Sequence, residues 1–222
     1  MRIAIGAGVA VVVVVLALAQ LLGPGIAARV VRGRVQKYGT VKSVTVKAWP
    51  AVKLLWREAD EVTVRAGRLR VSPEQTAALL GEAKGTERVD ASAESVEEGS
   101  LRLTDTRLEK RGSTLRARGV VSEADVKRAL PEGVEVALLK SEAGTVEVRV
   151  SGGLFGVGAS VDAVAQAEGG KLVARPTGLL GALKLMLFES PSVYVEGVQA
   201  RALESRGGEG ARYELSMWAS LR

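Results

Sequence analysis

The sequence predicts an α+β protein built mainly of antiparallel β-sheet, with an apolar helix at its N-terminus. Apolar and polar residues alternate through most of the chain after residue 41, which is the period of strands with one covered face. The intervals between these strands are too short for repeated crossover helices, and all six prolines lie at predicted element boundaries. We therefore expect roughly nine or ten strands and three or four short helices.

The N-terminal segment is long and apolar enough to be a membrane signal. No charged side chain occurs between Arg2 and Arg29. A helix over residues 3–22 would be about 30 Å long, which is the thickness of bilayer hydrocarbon. Two interpretations remain open: a signal peptide cleaved after Ala17-Leu18-Ala19, or an uncleaved transmembrane anchor that ends before Gly23-Pro24-Gly25. Both place the rest of the chain in the cell envelope, on the extracytoplasmic side of the cell membrane, anchored or secreted.

Positive charge is concentrated directly behind this segment. Residues 29–70 hold 11 Lys and Arg against 3 Asp and Glu, whereas residues 71–222 hold 19 against 22. A segment facing anionic lipid would show this pattern, as would an ordinary solvated flank, but a nucleic-acid binder would be basic throughout. We expect a signal peptide or anchor (1–28), a basic juxtamembrane segment (29–40) and a β-rich domain (41–222), with no nucleic-acid partner.

The amino-acid composition argues against most kinds of catalytic and metal-binding site. The chain has no His and no Cys, which excludes His-ligated or Cys-ligated metals, disulfides, thiol nucleophiles and Ser-His-Asp triads. Carboxylates that could act as an acid–base pair are scattered, and no spacing brings two of them together. Asp125 fits a helix start, and Asp162 fits an outward strand position. We expect no catalytic residue, no metal and no cofactor, and a protein that is not an enzyme.

Local signals mark helix starts and strand irregularities. Ser72-Pro73-Glu74-Gln75 and Ser122-Glu123-Ala124-Asp125 each begin with a Ser that can cap a helix, which predicts two helix N-termini. A further short helix is predicted over Pro50–Glu58. The apolar alternation slips phase at Gly67 and at Gly197, which predicts a β-bulge at each glycine.

The segment Gly178–Phe188 is unusually apolar. Its only charged residue is Lys184. We expect a helix without a polar face, which must be covered either by protein, as a plug on the concave face of the sheet, or by lipid.

The order and spacing of four motifs resemble the LmeA-like phospholipid-binding family of bacterial envelope proteins. The motifs are Trp49-Pro50 with its apolar helix, Asp60–Val64, Val120–Val126 and Glu168–Pro176. The resemblance implies a long, curved antiparallel sheet wrapped around short helices, similar to tubular lipid-binding folds. It also implies export or anchoring, with phospholipid as the ligand. The chain departs from the family at Lys47-Ala48-Trp49-Pro50, where members often have a Gly-Phe-Pro-like run.

Phospholipid binding would require an aliphatic cavity, in which each buried CH₂ contributes about 0.8 kcal/mol, and basic side chains at its mouth. We expect non-enzymatic binding of phospholipid, or its transfer, with the membrane as a second partner. The alternative is a structural or scaffolding envelope protein with a filled core and no ligand. The candidate cavity-lining residues are Trp49, Val52, Leu55, Trp56, Leu79, Leu80, Leu179, Leu180, Leu183, Met186, Leu187 and Phe188. The candidate head-group residues, each of which could instead lie on a solvent face, are Lys53, Arg57, Arg65, Arg68 and Arg70.

Overall fold

The computed structural model describes most of the chain after the N-terminal apolar segment. The described residues are 25–50, 54, 58–142, 144–154, 157–178, 181–204 and 210–222. The N-terminal signal or anchor helix and most of the predicted Pro50–Glu58 helix lie outside them. Within these ranges, no helix combines the length and the apolar character needed to cross a membrane.

The described residues form twelve strands and three α-helices. The helices are α1 (residues 25–36), α2 (Pro73–Glu82) and α3 (Glu123–Ala129), with a 3₁₀ turn over Ala83–Gly85. The first six strands are β1 (Gly39–Lys47), β2 (Ala59–Arg70), β3 (Thr86–Glu98), β4 (Leu101–Arg111), β5 (Thr114–Ser122) and β6 (Val134–Glu142). The remaining six are β7 (Thr145–Leu154), β8 (Val157–Glu168), β9 (Lys171–Pro176), β10 (Leu185–Phe188), β11 (Val193–Leu203) and β12 (Arg212–Leu221).

The strands divide between two sheets. The seven-stranded sheet has the order β1-β2-β3-β4-β5-β12-β11, and the five-stranded sheet has the order β10-β9-β8-β7-β6. The predicted β-rich fold with few short helices is confirmed, and its strand pairs are antiparallel with one exception. β2 and β3 pair in parallel, because the interval between them holds α2 and so allows one crossover.

Both predicted helix starts are confirmed. The Ser72 hydroxyl accepts a hydrogen bond from the backbone N–H of Gln75 at 3.3 Å, and the Gln75 side chain accepts one from the backbone N–H of Ser72 at 2.9 Å. The Ser122 hydroxyl likewise accepts from the backbone N–H of Asp125 at 3.1 Å. Each Ser thereby satisfies a backbone donor that the first turn leaves free.

The two predicted bulges differ in extent. The β11–β12 register shifts between Val195 and Gly197, which confirms the bulge there. Near Gly67 the β1–β2 register shifts on both sides of Val41. The pairing of β2 with β3, in contrast, runs past Gly67 without a shift. The phase slip predicted at Gly67 is therefore confirmed, and the irregular pairing lies on the β1 side of β2.

Strand β11 joins the two sheets. It pairs with β12 in the larger sheet, while the backbone N–H of Val195 donates to the Gly170 carbonyl at 2.9 Å, beside β9 of the smaller sheet. The backbone N–H of Ala200 donates to the Ser141 hydroxyl of β6 at 2.8 Å. The largest fully buried side chains lie at this junction and are those of Val173, Val193 and Val195.

The helix predicted over Gly178–Phe188 is wrong for the described part of the segment. Residues 185–188 form strand β10, which pairs with the edge of β9. Gly178 has a φ of 71°, a conformation that suits a turn and not a continuing helix. Because the segment has no polar face to hold a surface helix, its backbone is satisfied by sheet pairing instead.

Candidate functional site

A polar depression of about 500 Å³ opens at one end of the seven-stranded sheet, where β1 to β4 begin or end. It contains two of the five predicted head-group residues, Arg68 and Arg70. Arg65, on the same strand, is exposed outside it. Its charged lining residues are Lys42, Arg68, Arg70, Glu94 and Arg102, and hydroxyl groups come from Tyr38, Thr40 and Ser95.

Strand register explains why Arg68 and Arg70 line this depression. Arg68 pairs with Ser95 of β3, and Arg70 pairs with Glu97, so the register sets both arginines at the end of β2 beside the β3 residues of the depression. From the sequence, both arginines are candidate head-group residues, with a position on a solvent face as the alternative. Both guanidinium groups are nevertheless exposed at this end of the sheet, so the rim of the depression is basic.

Arg102 is the least expected member of the site. It lies on β4 directly across from Glu97 of β3. Its Nε atom is buried and has no hydrogen-bond partner among the described residues. Sequence reasoning missed Arg102, since only the β3–β4 register brings it beside arginines that precede it by more than thirty positions.

The carboxylates around the depression are already engaged. Arg70 Nε donates to Glu97 Oε2 at 2.7 Å, and Arg68 Nε lies 3.8 Å from Glu97 Oε1. The hydrogen bond from Arg70, aided by the charges of Arg68 and Arg102, lowers the pKa of Glu97 below its ordinary value of 4.5 despite some desolvation. Glu94 is paired with Lys42. The depression therefore keeps an excess of positive charge.

The lowered pKa of Glu97 makes stability depend on pH. A carboxyl whose pKa is lower in the folded than in the unfolded state stabilises the fold above its unfolded pKa, and this contribution disappears as pH falls through the folded pKa. As the pH is lowered below 4.5, we expect the free energy of unfolding of the wild type to decrease more than that of Glu97→Gln. The plots of unfolding free energy against pH for the two proteins should therefore converge in acid. Urea titrations across this range measure it, and curves that stay parallel would contradict the assignment.

The predicted cavity-lining residues are distributed between the core and the surface. Leu80 is buried in a cluster with Leu115, and Phe188 packs against that cluster. Leu79 is half-buried, whereas Trp49 is largely exposed. A cavity shared by all the candidates stays a prediction, because seven of the cavity-lining and head-group candidates lie outside the described residues. These seven are Val52, Lys53, Leu55, Trp56, Arg57, Leu179 and Leu180.

The other candidates form an exposed apolar surface. We call residues 183–188 the β10 apolar segment. Leu183, Leu185, Met186 and Leu187 are each between 42% and 63% exposed, although large apolar side chains usually find cover. β10 is also an edge strand of its sheet. Sequence reasoning had assigned a role to three of these four residues and missed Leu185, the most exposed of them.

The single charge of the β10 apolar segment is neutralised. Lys184 Nζ lies 3.1 Å from Glu168 Oε1, and Arg175 donates to the same carboxylate at 2.9 Å. Hydrogen bonds from Arg175 and Lys184 lower the pKa of Glu168. The segment thus presents aliphatic side chains with its one cation already paired.

Neither feature has the donors of a metal centre. In the part of the chain that the structure describes, no group of three or more acidic side chains is placed to hold a metal ion. What the two features can hold is a phosphate oxygen at the basic depression and aliphatic chains at the β10 apolar segment.

The β-rich fold thus presents a basic depression and an exposed aliphatic segment, which suit the two chemical parts of an amphiphilic, phosphate-bearing molecule. The model of the LmeA-like phospholipid-binding family matches residues 13–208. Because the match covers most of the chain, the protein belongs to this family, which confirms the resemblance in the sequence. No curated protein matches the chain.

Proposed function

We propose that this protein binds phospholipid without altering it, on the extracytoplasmic side of the cell membrane, and moves it between membrane surfaces. The observation that carries the proposal is the β10 apolar segment, read together with the family. Four large apolar side chains within five residues stay exposed, three of them on an edge strand and one just before it. Acyl chains would cover them, and each CH₂ removed from water contributes about 0.8 kcal/mol.

The surroundings of the segment favour lipid as its cover. Lys184 and Arg175 both form ion pairs with Glu168. Contact between the segment and hydrocarbon therefore does not leave an unpaired charge in an apolar environment. The edge of β10 would lie at the level of the lipid head groups, where water can still satisfy its outer backbone groups. The apolar residues 3–22 and the basic residues behind them support a place at the membrane.

One observation favours the alternative, a scaffolding envelope protein without a ligand. Leu80 and Phe188, both candidates for lining a lipid cavity, belong to or pack against a filled cluster. Under the main proposal the acyl chains lie along the β10 apolar segment and under the curved sheet. Under the alternative nothing occupies either place.

Lipid extraction from the purified full chain separates these possibilities. We expect organic extraction followed by mass spectrometry to find diacyl phospholipid in near-stoichiometric amount. A detergent-purified Leu185→Asp variant, which places a charge in the β10 apolar segment, should retain much less. Wild-type protein free of acyl chains would overturn the proposal in favour of a scaffold.

The non-enzymatic part of the proposal has its own test. The full chain is incubated with isotopically labelled phosphatidylglycerol, and the lipid is then analysed again. We expect its mass to be unchanged. A lysolipid or a free head group would make the protein an enzyme.

A further inference from the structure

We propose that the basic depression is a binding site for a phosphate group, carried by a phospholipid head group or by a small soluble phosphate ester, with Arg102 as its central ligand. The lipid source of the phosphate rests on the proposed function. The site itself rests on the geometry of Arg102, Arg68 and Arg70.

The unpartnered Nε of Arg102 is the first argument. Buried nitrogen donors in folded proteins almost always have a hydrogen-bond partner, so a buried guanidinium N–H without one indicates a missing acceptor. The neighbouring carboxylates are engaged elsewhere. Glu97 accepts from Arg70 at 2.7 Å, and Asp125 accepts from Arg128 at 2.6 Å. No acceptor among the described residues completes Arg102 Nε, which leaves this buried donor available to a bound ligand.

Charge and size indicate what that acceptor is. Four cations line the depression, while two carboxylates face them: Glu94 pairs with Lys42, and Glu97 is shared by Arg68 and Arg70. Arginine forks match phosphate oxygens with two parallel hydrogen bonds, which makes a phosphate a better fit than a neutral polar group. A volume of about 500 Å³ is that of a site for a small organic molecule, which suits a phosphate with its attached glycerol or alcohol.

The rim of the depression can adapt to the ligand. Arg68 and Arg70 are exposed and share one carboxylate, so either guanidinium can turn toward a bound phosphate while the other keeps Glu97. The hydroxyl groups of Thr40 and Ser95 add donors to the remaining phosphate oxygens.

The test uses the full chain in neutral detergent with glycerol 3-phosphate as the soluble probe. We expect calorimetry to detect binding to the wild type, about tenfold weaker binding to Arg102→Gln, and an intermediate loss in Arg102→Lys, which keeps the charge but not the fork. Arg65→Gln is the matched control, because Arg65 is an exposed arginine on β2 outside the depression, and its affinity should equal that of the wild type.

A second variant keeps the test informative if Arg102→Gln fails to fold. Glu97→Gln removes the carboxylate that neutralises Arg68 and Arg70, and we expect it to bind glycerol 3-phosphate several-fold more tightly. No binding to the wild type, an equal loss in Arg65→Gln, or unchanged affinity in both Arg102→Gln and Glu97→Gln would overturn the site.

Lipid arms of the experiment identify the source of the phosphate. Native mass spectrometry compares occupancy by phosphatidylglycerol and by phosphatidylcholine from mixed micelles. A head-group site is supported if the protein prefers phosphatidylglycerol and glycerol 3-phosphate reduces that preference. The preference should also disappear in Arg102→Gln, while that variant still binds lipid through its acyl chains. Arg102-dependent binding of the soluble probe without any lipid would support the site and overturn the proposed function. Lipid binding that ignores both Arg102 and Glu97 would overturn the site and leave the proposed function standing.

Discussion

Replacing Gly170 by Ala is expected to lower the free energy of unfolding by about 3 kcal/mol, from a left-handed backbone penalty and steric overlap together. Gly170 has a φ of 83°, and an added Cβ would overlap the ring of Tyr194. The Arg222 guanidinium lies 3.9 Å from the centroid of that ring, so moving the ring away from an added Cβ would also disturb this cation–π contact. The Gly170 carbonyl also accepts the hydrogen bond from the backbone N–H of Val195 that links the two sheets.

The neighbouring glycine provides a matched control. Gly169 also has a positive φ, of 59°, but an added Cβ there would meet no atom within 4 Å. Gly169→Ala should therefore cost only the backbone penalty, about 1 kcal/mol. Urea unfolding of the two variants and the wild type measures the difference. Equal losses in the two variants would show that the approach of β11 to this turn does not limit stability.

This pair of glycines also shows how far the sequence can be interpreted. The run Glu168-Gly169-Gly170 predicts a turn, because two consecutive glycines tolerate positive φ at no steric cost. Which glycine is irreplaceable depends on Tyr194, which approaches from β11. This contact comes from the packing of β11 against the turn between β8 and β9, and not from local sequence.

The same distinction applies to the basic depression. Alternation predicts strand β2 and places an arginine at every second position near its end, so Arg68 and Arg70 could be named as candidates. Their face could not be assigned, because the β1 side of the strand is irregular while the β3 side is regular. Arg102 carries no local signal at all, and only the antiparallel β3–β4 register opposes it to Glu97.

The β10 apolar segment was predicted to be a helix and is a strand over residues 185–188. Its apolar residues are contiguous, and a contiguous apolar run predicts burial without distinguishing a helix from a strand. Residues 185–188 form a strand because the edge of β9 offers hydrogen-bond partners for their backbone groups. A short helix over these residues would have left that edge unpaired. The composition of the segment predicted that something must cover it, and that expectation stands independently of its secondary structure.

Placing a charge in the β10 apolar segment is expected to abolish most lipid contact while leaving the fold intact. Leu185 is 63% exposed, so Leu185→Asp removes little buried area from the protein itself. Covering a Leu side chain with acyl chains contributes about 1.5–3 kcal/mol, so its loss weakens lipid association by tenfold or more. The double variant Leu183→Asp/Leu185→Asp should lose more affinity than Leu185→Asp alone, because it removes a second exposed Leu from the same segment.

The opposite edge of the same sheet offers a control of matched chemistry. Leu139 lies on β6 and is 41% exposed, so Leu139→Asp adds the same charge at a comparable surface position. The assay uses full chain and a phospholipid whose acyl chain carries a photoactivatable diazirine. Adducts should map to the peptide containing β10 and disappear in Leu185→Asp, while Leu139→Asp labels like the wild type. Equal labelling of β6 and β10, or labelling that Leu185→Asp leaves unchanged, would mean that acyl chains contact another surface and that the exposed leucines of β10 await a protein partner.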